Sequence, residues 1–275
     1  MSMRIFRYPS VLLTVTALVA ACQTVQTTQP GAVGVERKQS MSTMVSAEAI
    51  DKSAAEAYSA EVARARANGL LNRDPAQTVR VRKIAARLID QTGAFRPDAK
   101  NWPWAINVQT SKEINAYCMP GGRIMVYTGL IERLNLTDPE LATVMAHEIS
   151  HALREHSREQ VSRAYGQQVG LTALAGLAGL NDASMQLASL LSDVTFSLPH
   201  SRVQESEADE IGLELMARAG YDPNAAVSLW KKMAVAGQGG TPGFLSTHPS
   251  SSTRTADITA LLPKVMPLYE AASRP

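Results

Sequence analysis

One helix constrains this chain more than any other part of it. Thr137-Asp-Pro-Glu140 is a strong helix start. Thr137 can cap the first turn, and Glu140 stands three residues on, where its carboxylate can reach back. Leu141, Val144, Met145 and Ile149 then form an apolar stripe, so the helix is expected to run to about Glu155 with that stripe inside. Within it stands His147-Glu-Ile-Ser-His151. A spacing of four puts both imidazoles on one face, about one turn apart, within reach of one ion. Zinc accepts neutral imidazole nitrogens in tetrahedral geometry. Glu148 need not bind the metal. It can lean over an open coordination position and take a proton from water there.

A catalytic zinc site has three protein ligands and keeps one position open, so a third ligand must come from elsewhere in the chain. On residue logic alone Glu205, Glu207, Asp209, His200 and His248 are all candidates. Glu205 is best placed. It falls on an expected helix, Arg202–Ala219, with Asp209 four residues on and therefore on the same face. One carboxylate can ligate while the other fixes a ligand imidazole by a hydrogen bond. His156, five residues past His151, is expected to turn to another face and lie at the surface.

His147-Glu-Ile-Ser-His151, followed by Ser201-Arg202-Val-Gln-Glu205-Ser-Glu207-Ala208-Asp209-Glu-Ile-Gly212, resembles the M48 family of zinc metallopeptidases. Asn115-Ala116 with Pro120-Gly121-Gly122 resembles the segment before that family's active-site strand, and Thr247-His248-Pro249 with Arg254 its late His-Pro stretch. The resemblance covers about residues 74–264. It implies a mainly helical α+β domain, zincin-like, with a small β-sheet. It implies one Zn²⁺ per chain held by His147, His151 and Glu205, with Asp209 bonded to a ligand imidazole and Glu148 as general base. A group that stabilises the transition state is also needed, and His248 and Arg202 are the two candidates. Arg202 is slightly favoured instead as the residue that holds the acidic side chains together. An extended polypeptide substrate is expected to pair with an edge strand at Ile124, Val126 and Thr128. The type within the family that this chain most resembles is the small outer-membrane lipoprotein peptidase.

The rest of the sequence supplies an address and a frame. Arg4 and Arg7 precede an apolar run, Val11–Ala21, which ends Val19-Ala-Ala-Cys22. This resembles a bacterial lipoprotein signal: residues 1–21 are removed and Cys22 is acylated. Gln23 after the cysteine favours the outer membrane, on its periplasmic face. Residues 22–43, rich in Thr, Gln, Gly and Ser, read as a flexible tether. Residues 44–73 read as a helical segment and 74–275 as the peptidase domain. Strands are expected near Trp104–Gln109 and Ile124–Thr128. The Gly/Ala/Leu-rich stretch Gly170–Leu191 reads as a close-packed helical hairpin or a lid. Loss of Arg4 and Arg7 leaves 25 basic against 25 acidic residues, so nothing electrostatic argues for a nucleic-acid partner. With Cys22 acylated, Cys118 is the one thiol left, and no Cys–His motif surrounds it. The expected partners are polypeptide substrates, the membrane through Cys22, and the outer-membrane assembly machinery. A non-proteolytic, zinc-containing chaperone or assembly lipoprotein is the alternative reading.

Overall fold

A computed structural model describes residues 22–175, 183–238, 242–249 and 253–272. The signal segment, residues 1–21, lies outside the described residues, as does the middle of the Gly/Ala/Leu-rich stretch at 176–182.

The capped helix forms the axis of the fold. Among the described residues, three α-helices precede it: α1 (Ala47–Ala67), α2 (Pro75–Gln91) and α3 (Thr128–Arg133). The axis itself, α4, runs Asp138–Leu153. Thr137 accepts from the Glu140 N–H, and the Glu140 carboxylate accepts from the Thr137 N–H at 2.9 Å. Every residue from Glu140 to Leu153 is buried. A helix wrapped on all sides in this way must find partners for every polar side chain it carries. Arg154 then caps α4, Glu155 takes a left-handed turn (φ 50°), and α5 starts at His156 and runs to Ala175.

After α6 (Ala183–Phe196) comes α7 (Arg202–Arg218), which packs more extensively against α4 than any other pair of elements. The two backbones meet at Gly212, where a Cβ would lie 3.0 Å from the His147 nitrogen. A larger residue there would push α7 away from the histidines. α8 (Ala225–Gly237) also packs on α4, the short α9 (Gly243–Thr247) follows it, and α10 (Arg254–Ala271) lies along α7. Among the described residues, no helix is long and apolar enough to cross a membrane.

Three strands cover one side of α4: β3 (Ala105–Gln109), β4 (Ala116–Met119) and β5 (Arg123–Tyr127), in the order β3-β5-β4. β5 runs parallel to β3 and antiparallel to β4. The left-handed Gly121 and Gly122 make the β4–β5 turn. This order corrects one expectation. Ile124 and Val126 belong to the central strand, both of whose edges are taken, and their side chains are buried in the core. Thr128 is the first residue of α3 and bonds to the Ser111 carbonyl. None of the three can receive an extended substrate. The two edge strands are β3, partly covered by residues 70–72, and β4, buried against α4.

The tether expectation is also corrected. β1 (Cys22–Val25) pairs antiparallel with β2 (Gln39–Ser42), and the segment between them is strapped to the domain. Val33 and Val35 are buried in the main core, and the Val33 N–H donates to Glu214 at 2.9 Å. Gln39 donates to the Arg154 carbonyl at 2.6 Å. Arg37 donates to Glu159 at 2.7 and 3.0 Å and to Glu207 at 2.6 and 2.9 Å. Polar composition misleads here because these side chains meet buried polar partners rather than water.

Glu159 is fully buried. Burial alone would raise its carboxyl, but hydrogen bonds from Arg37, Gln39 and Gln204 outweigh it and hold the group near 2. Folding therefore lowers this pKa below the ordinary value of about 4.3. Its contribution to stability is complete above about pH 5 and is lost as pH falls through that window toward 2. Urea midpoints at pH 7, 5 and 3.5 should fall between the last two points in the unchanged chain. In Glu159→Gln the fall should be shallower. Equal falls in both chains would show that the carboxylate is not linked to folding.

Candidate metal centre

Three elements deliver the central side chains. α4 supplies His147 and His151, α7 supplies Glu205, and His248 follows α9. One ligating atom from each of these four lies within 4.8 Å of all the others, and all four residues are buried. His147 Nε2 is 3.0 Å from His151 Nε2, 3.2 Å from His248 Nδ1 and 3.5 Å from Glu205 Oε2. His151 Nε2 is 3.4 Å from Glu205 Oε1, and His248 Nδ1 is 3.0 Å from the same oxygen. Of the third-ligand candidates, Glu205 and His248 join the two α4 histidines, whereas Glu207, Asp209 and His200 lie outside the ring.

The surroundings fix how these side chains stand. His147 Nδ1 is 3.0 Å from Asp209 Oδ1, the bond expected of Asp209. A carboxylate only accepts, so His147 carries a hydrogen on Nδ1 and turns Nε2 toward the ring. Arg254, at the start of α10, donates from Nη1 to Glu205 at 3.0 Å and from Nη2 to Asp209 at 2.7 Å. Its guanidinium also lies 3.4 Å above the Trp230 ring. The tie between the two acidic side chains is therefore Arg254 and not Arg202. Arg202 is the first residue of α7 and is exposed. Arg254 is remote from α7 in sequence, and no local spacing could have assigned it this task.

His156 corrects another expectation. Spacing on a continuous helix turns it outward, but the left-handed turn at Glu155 restarts the helix and brings it beneath the ring. It is fully buried, with Nδ1 2.8 Å from His151 Nδ1 and Nε2 3.0 Å from Glu207 Oε2. The His200 ring lies 4.1 Å from that of His151. All five histidines of the chain thus gather in one place.

Four donor atoms converge here, the Glu205 carboxylate among them also held by Arg254. Burial opposes charge on His147, yet Glu205 and Asp209 outweigh it and lift its pKa to about 9. Burial and then the neighbouring His200 hold His151 well below the ordinary imidazole value, so it is neutral. Burial opposes ionisation of Glu205 too, but His248 and His147 hold it well below the usual carboxylate range. Two aligned imidazoles, a third on the opposite wall and an ionised carboxylate are the donor set that zinc takes. Glu148 stands beside this set. It is buried, and its Oε1 has no hydrogen-bond partner but lies 3.3 Å from His248 Nε2. Burial raises its pKa, while His248 and His147 pull it down without cancelling the rise. The Cys118 backbone, in β4, pulls it down a little further. Cys118 itself is buried, and burial pushes its thiol well up, as expected of an inert cysteine.

The sequence profile of Peptidase family M48 matches residues 75–262. The mitochondrial metalloendopeptidase OMA1 of Schizosaccharomyces pombe is 39% identical over 189 residues, covering 68% of this chain and 53% of that protein. The metalloendopeptidase OMA1, mitochondrial, of Bos taurus is 31% identical over 220 residues, covering 76% of this chain and 42% of the relative. The metalloprotease YcaL of Escherichia coli (strain K12) is 27% identical over 179 residues, covering 64% of this chain and 69% of YcaL. The chain spans about half the length of the OMA1 proteins it matches. The helical domain and the buried histidine–carboxylate cluster are those of a zinc metallopeptidase, and the chain belongs to peptidase family M48.

Arg254 generates a prediction. Glu205 and Asp209 are both shielded from water and share this one guanidinium. Breaking a buried pair by removing one partner costs about 3–5 kcal/mol. Arg254→Met should therefore lower the unfolding free energy of the metal-free chain by about that amount, measured in urea. A loss within experimental scatter would mean that the two carboxylates do not depend on it.

Proposed function

We propose that this chain is a zinc-dependent endopeptidase of the bacterial periplasm. On this reading it is tethered to the outer membrane through an acylated Cys22 and degrades misfolded or unassembled envelope proteins. The observation that carries it is the convergence of His147, His151 and Glu205 beside a buried carboxylate, Glu148, that ligates nothing. Zinc bound there supplies a Lewis acid, which makes water acidic and polarises a peptide carbonyl.

The chain's own residues do the rest. Glu148 receives the proton of the attacking water and returns it to the leaving amine, and its raised pKa suits a group that must hold a proton between two steps. Asp209 keeps the His147 lone pair on Nε2. His248 presents Nε2 next to Glu148 and is assigned the donor role toward the developing oxyanion. The exposed Arg202 is given no part in the chemistry. An extended substrate would pair along the edge strand β4, Ala116–Met119, which packs on α4. Backbone pairing there gives affinity with modest sequence preference, which suits unfolded polypeptides as substrates. The basic pair Arg4 and Arg7, the apolar run and Cys22 support the envelope address. At the start of the strap Cys22 is exposed, as an attachment point must be. The outer-membrane assembly machinery is the partner this address favours.

His248 supports a second reading. A fourth side chain in the ring is the arrangement of a closed, structural zinc site. A non-proteolytic chaperone or assembly lipoprotein of the envelope would keep such a metal for stability alone. Glu148→Gln separates the two, because it leaves every candidate ligand in place. Cleavage of an unfolded polypeptide such as reduced casein should fall by about 10²–10⁴-fold with zinc content unchanged. Undiminished cleavage would remove Glu148 as the base. No cleavage by either chain, with a zinc-loaded fold, would favour the second reading.

A further inference from the structure

The chemistry above leaves one fully buried histidine unused. His156 touches His151 on one side and Glu207 on the other. Glu207 also receives Nε and Nη2 of Arg154, each at 3.1 Å, and Nε and Nη2 of Arg37 at 2.6 and 2.9 Å. A carboxylate bound by two guanidinium groups is ionised and can only accept. His156 Nε2 must therefore donate to it. A neutral imidazole with its hydrogen on Nε2 has its lone pair on Nδ1. The 2.8 Å contact between His156 Nδ1 and His151 Nδ1 is then a bond in which His151 donates. That leaves the bare lone pair of His151 on Nε2, the nitrogen that faces His147 and Glu205.

We propose that His156 and Glu207 are positioning residues that fix the tautomer and ring orientation of His151, so that its Nε2 is free to bind metal. The proposal rests on the metal-centre reading above. Each α4 imidazole is held by an α7 carboxylate, directly for His147 through Asp209, and through an intervening histidine for His151. Such outer contacts are known to govern both ligand basicity and orientation. The relay also reaches the N-terminal strap, because Arg37 of that strap helps to hold Glu207. The segment that leads to the proposed anchor is thus joined to a candidate metal ligand by three side chains in series.

The test measures zinc affinity in the full chain by competition with a chromophoric chelator. The melting temperature of each metal-free chain reports the fold separately. His156→Leu removes both hydrogen bonds at similar bulk and should weaken zinc binding by about 10–100-fold. His156→Gln should recover most of that loss, because its amide oxygen can accept from His151 Nδ1 while its NH₂ donates to Glu207. Equal affinity in the unchanged and Leu chains would overturn the relay, as would an equal loss in the Leu and Gln chains. If His156→Leu does not fold, histidine ¹⁵N spectra of the unchanged, zinc-loaded chain decide. Hydrogens on His151 Nδ1 and His156 Nε2 support the relay, and the opposite tautomer at either residue overturns it. An unchanged chain that binds no zinc overturns the metal-centre reading and the relay together. Tight binding that ignores residue 156 overturns the relay alone.

Discussion

The fold depends on placing the acidic side chains of α7 against α4, away from water. Glu205, Glu207 and Glu214 are all buried and Asp209 nearly so. Each ionised carboxylate taken from water costs several kcal/mol unless partners replace the lost hydration. The partners come from elements far apart in sequence. Arg254 of α10 meets Glu205 and Asp209, Arg154 of the α4 cap meets Glu207, and the Val33 N–H and Arg218 meet Glu214. Removing any one element would expose or orphan a charge on α7. That requirement explains why α10 lies along α7 and why a polar N-terminal segment is strapped to the domain instead of hanging free.

Close approach makes the same arrangement chemically useful. Gly212 lets the two helix backbones meet beside His147. Asp209 and Glu205, about one and two turns nearer the start of α7, are then held against the imidazoles of α4. The result is a cluster with charge and geometry for a cation, and a carboxylate beside it whose own pKa is raised by burial. β4 acts on that carboxylate too, because the Cys118 backbone favours its ionised form. Glu148 and the candidate ligands are therefore held where α4 packs between α7 and β4.

Local rules read the axis of this fold well. The Thr137–Glu140 capping box, the apolar stripe and the His147/His151 spacing all refer to residues within a turn or two of one another. Glu205 and Asp209 likewise share a face because they share a helix. The failures lie where the structure departs from local continuity. The spacing of His156 from His151 places it outward only on an uninterrupted helix, and a left-handed non-glycine residue at 155 restarts that helix. Ile124–Thr128 has the pattern of a strand, but pattern does not tell a central strand from an edge. Arg254 and the strap residues Val33, Arg37 and Gln39 act through contacts more than a hundred residues away or on other helices, and their composition resembles that of any loop. Arg202 stands next to the right acidic residues in sequence, but it is exposed and the buried guanidinium that binds them is that of Arg254.

Zinc per chain tests the central claim most directly. Elemental analysis of the chain purified without chelator, beside His151→Ala and Glu205→Ala, should give about one zinc in the unchanged protein, as a single site requires, and strong loss in both variants. A well-folded chain that holds no zinc even after incubation with it, or variants that keep the full complement, would contradict a metal centre built on α4 and α7.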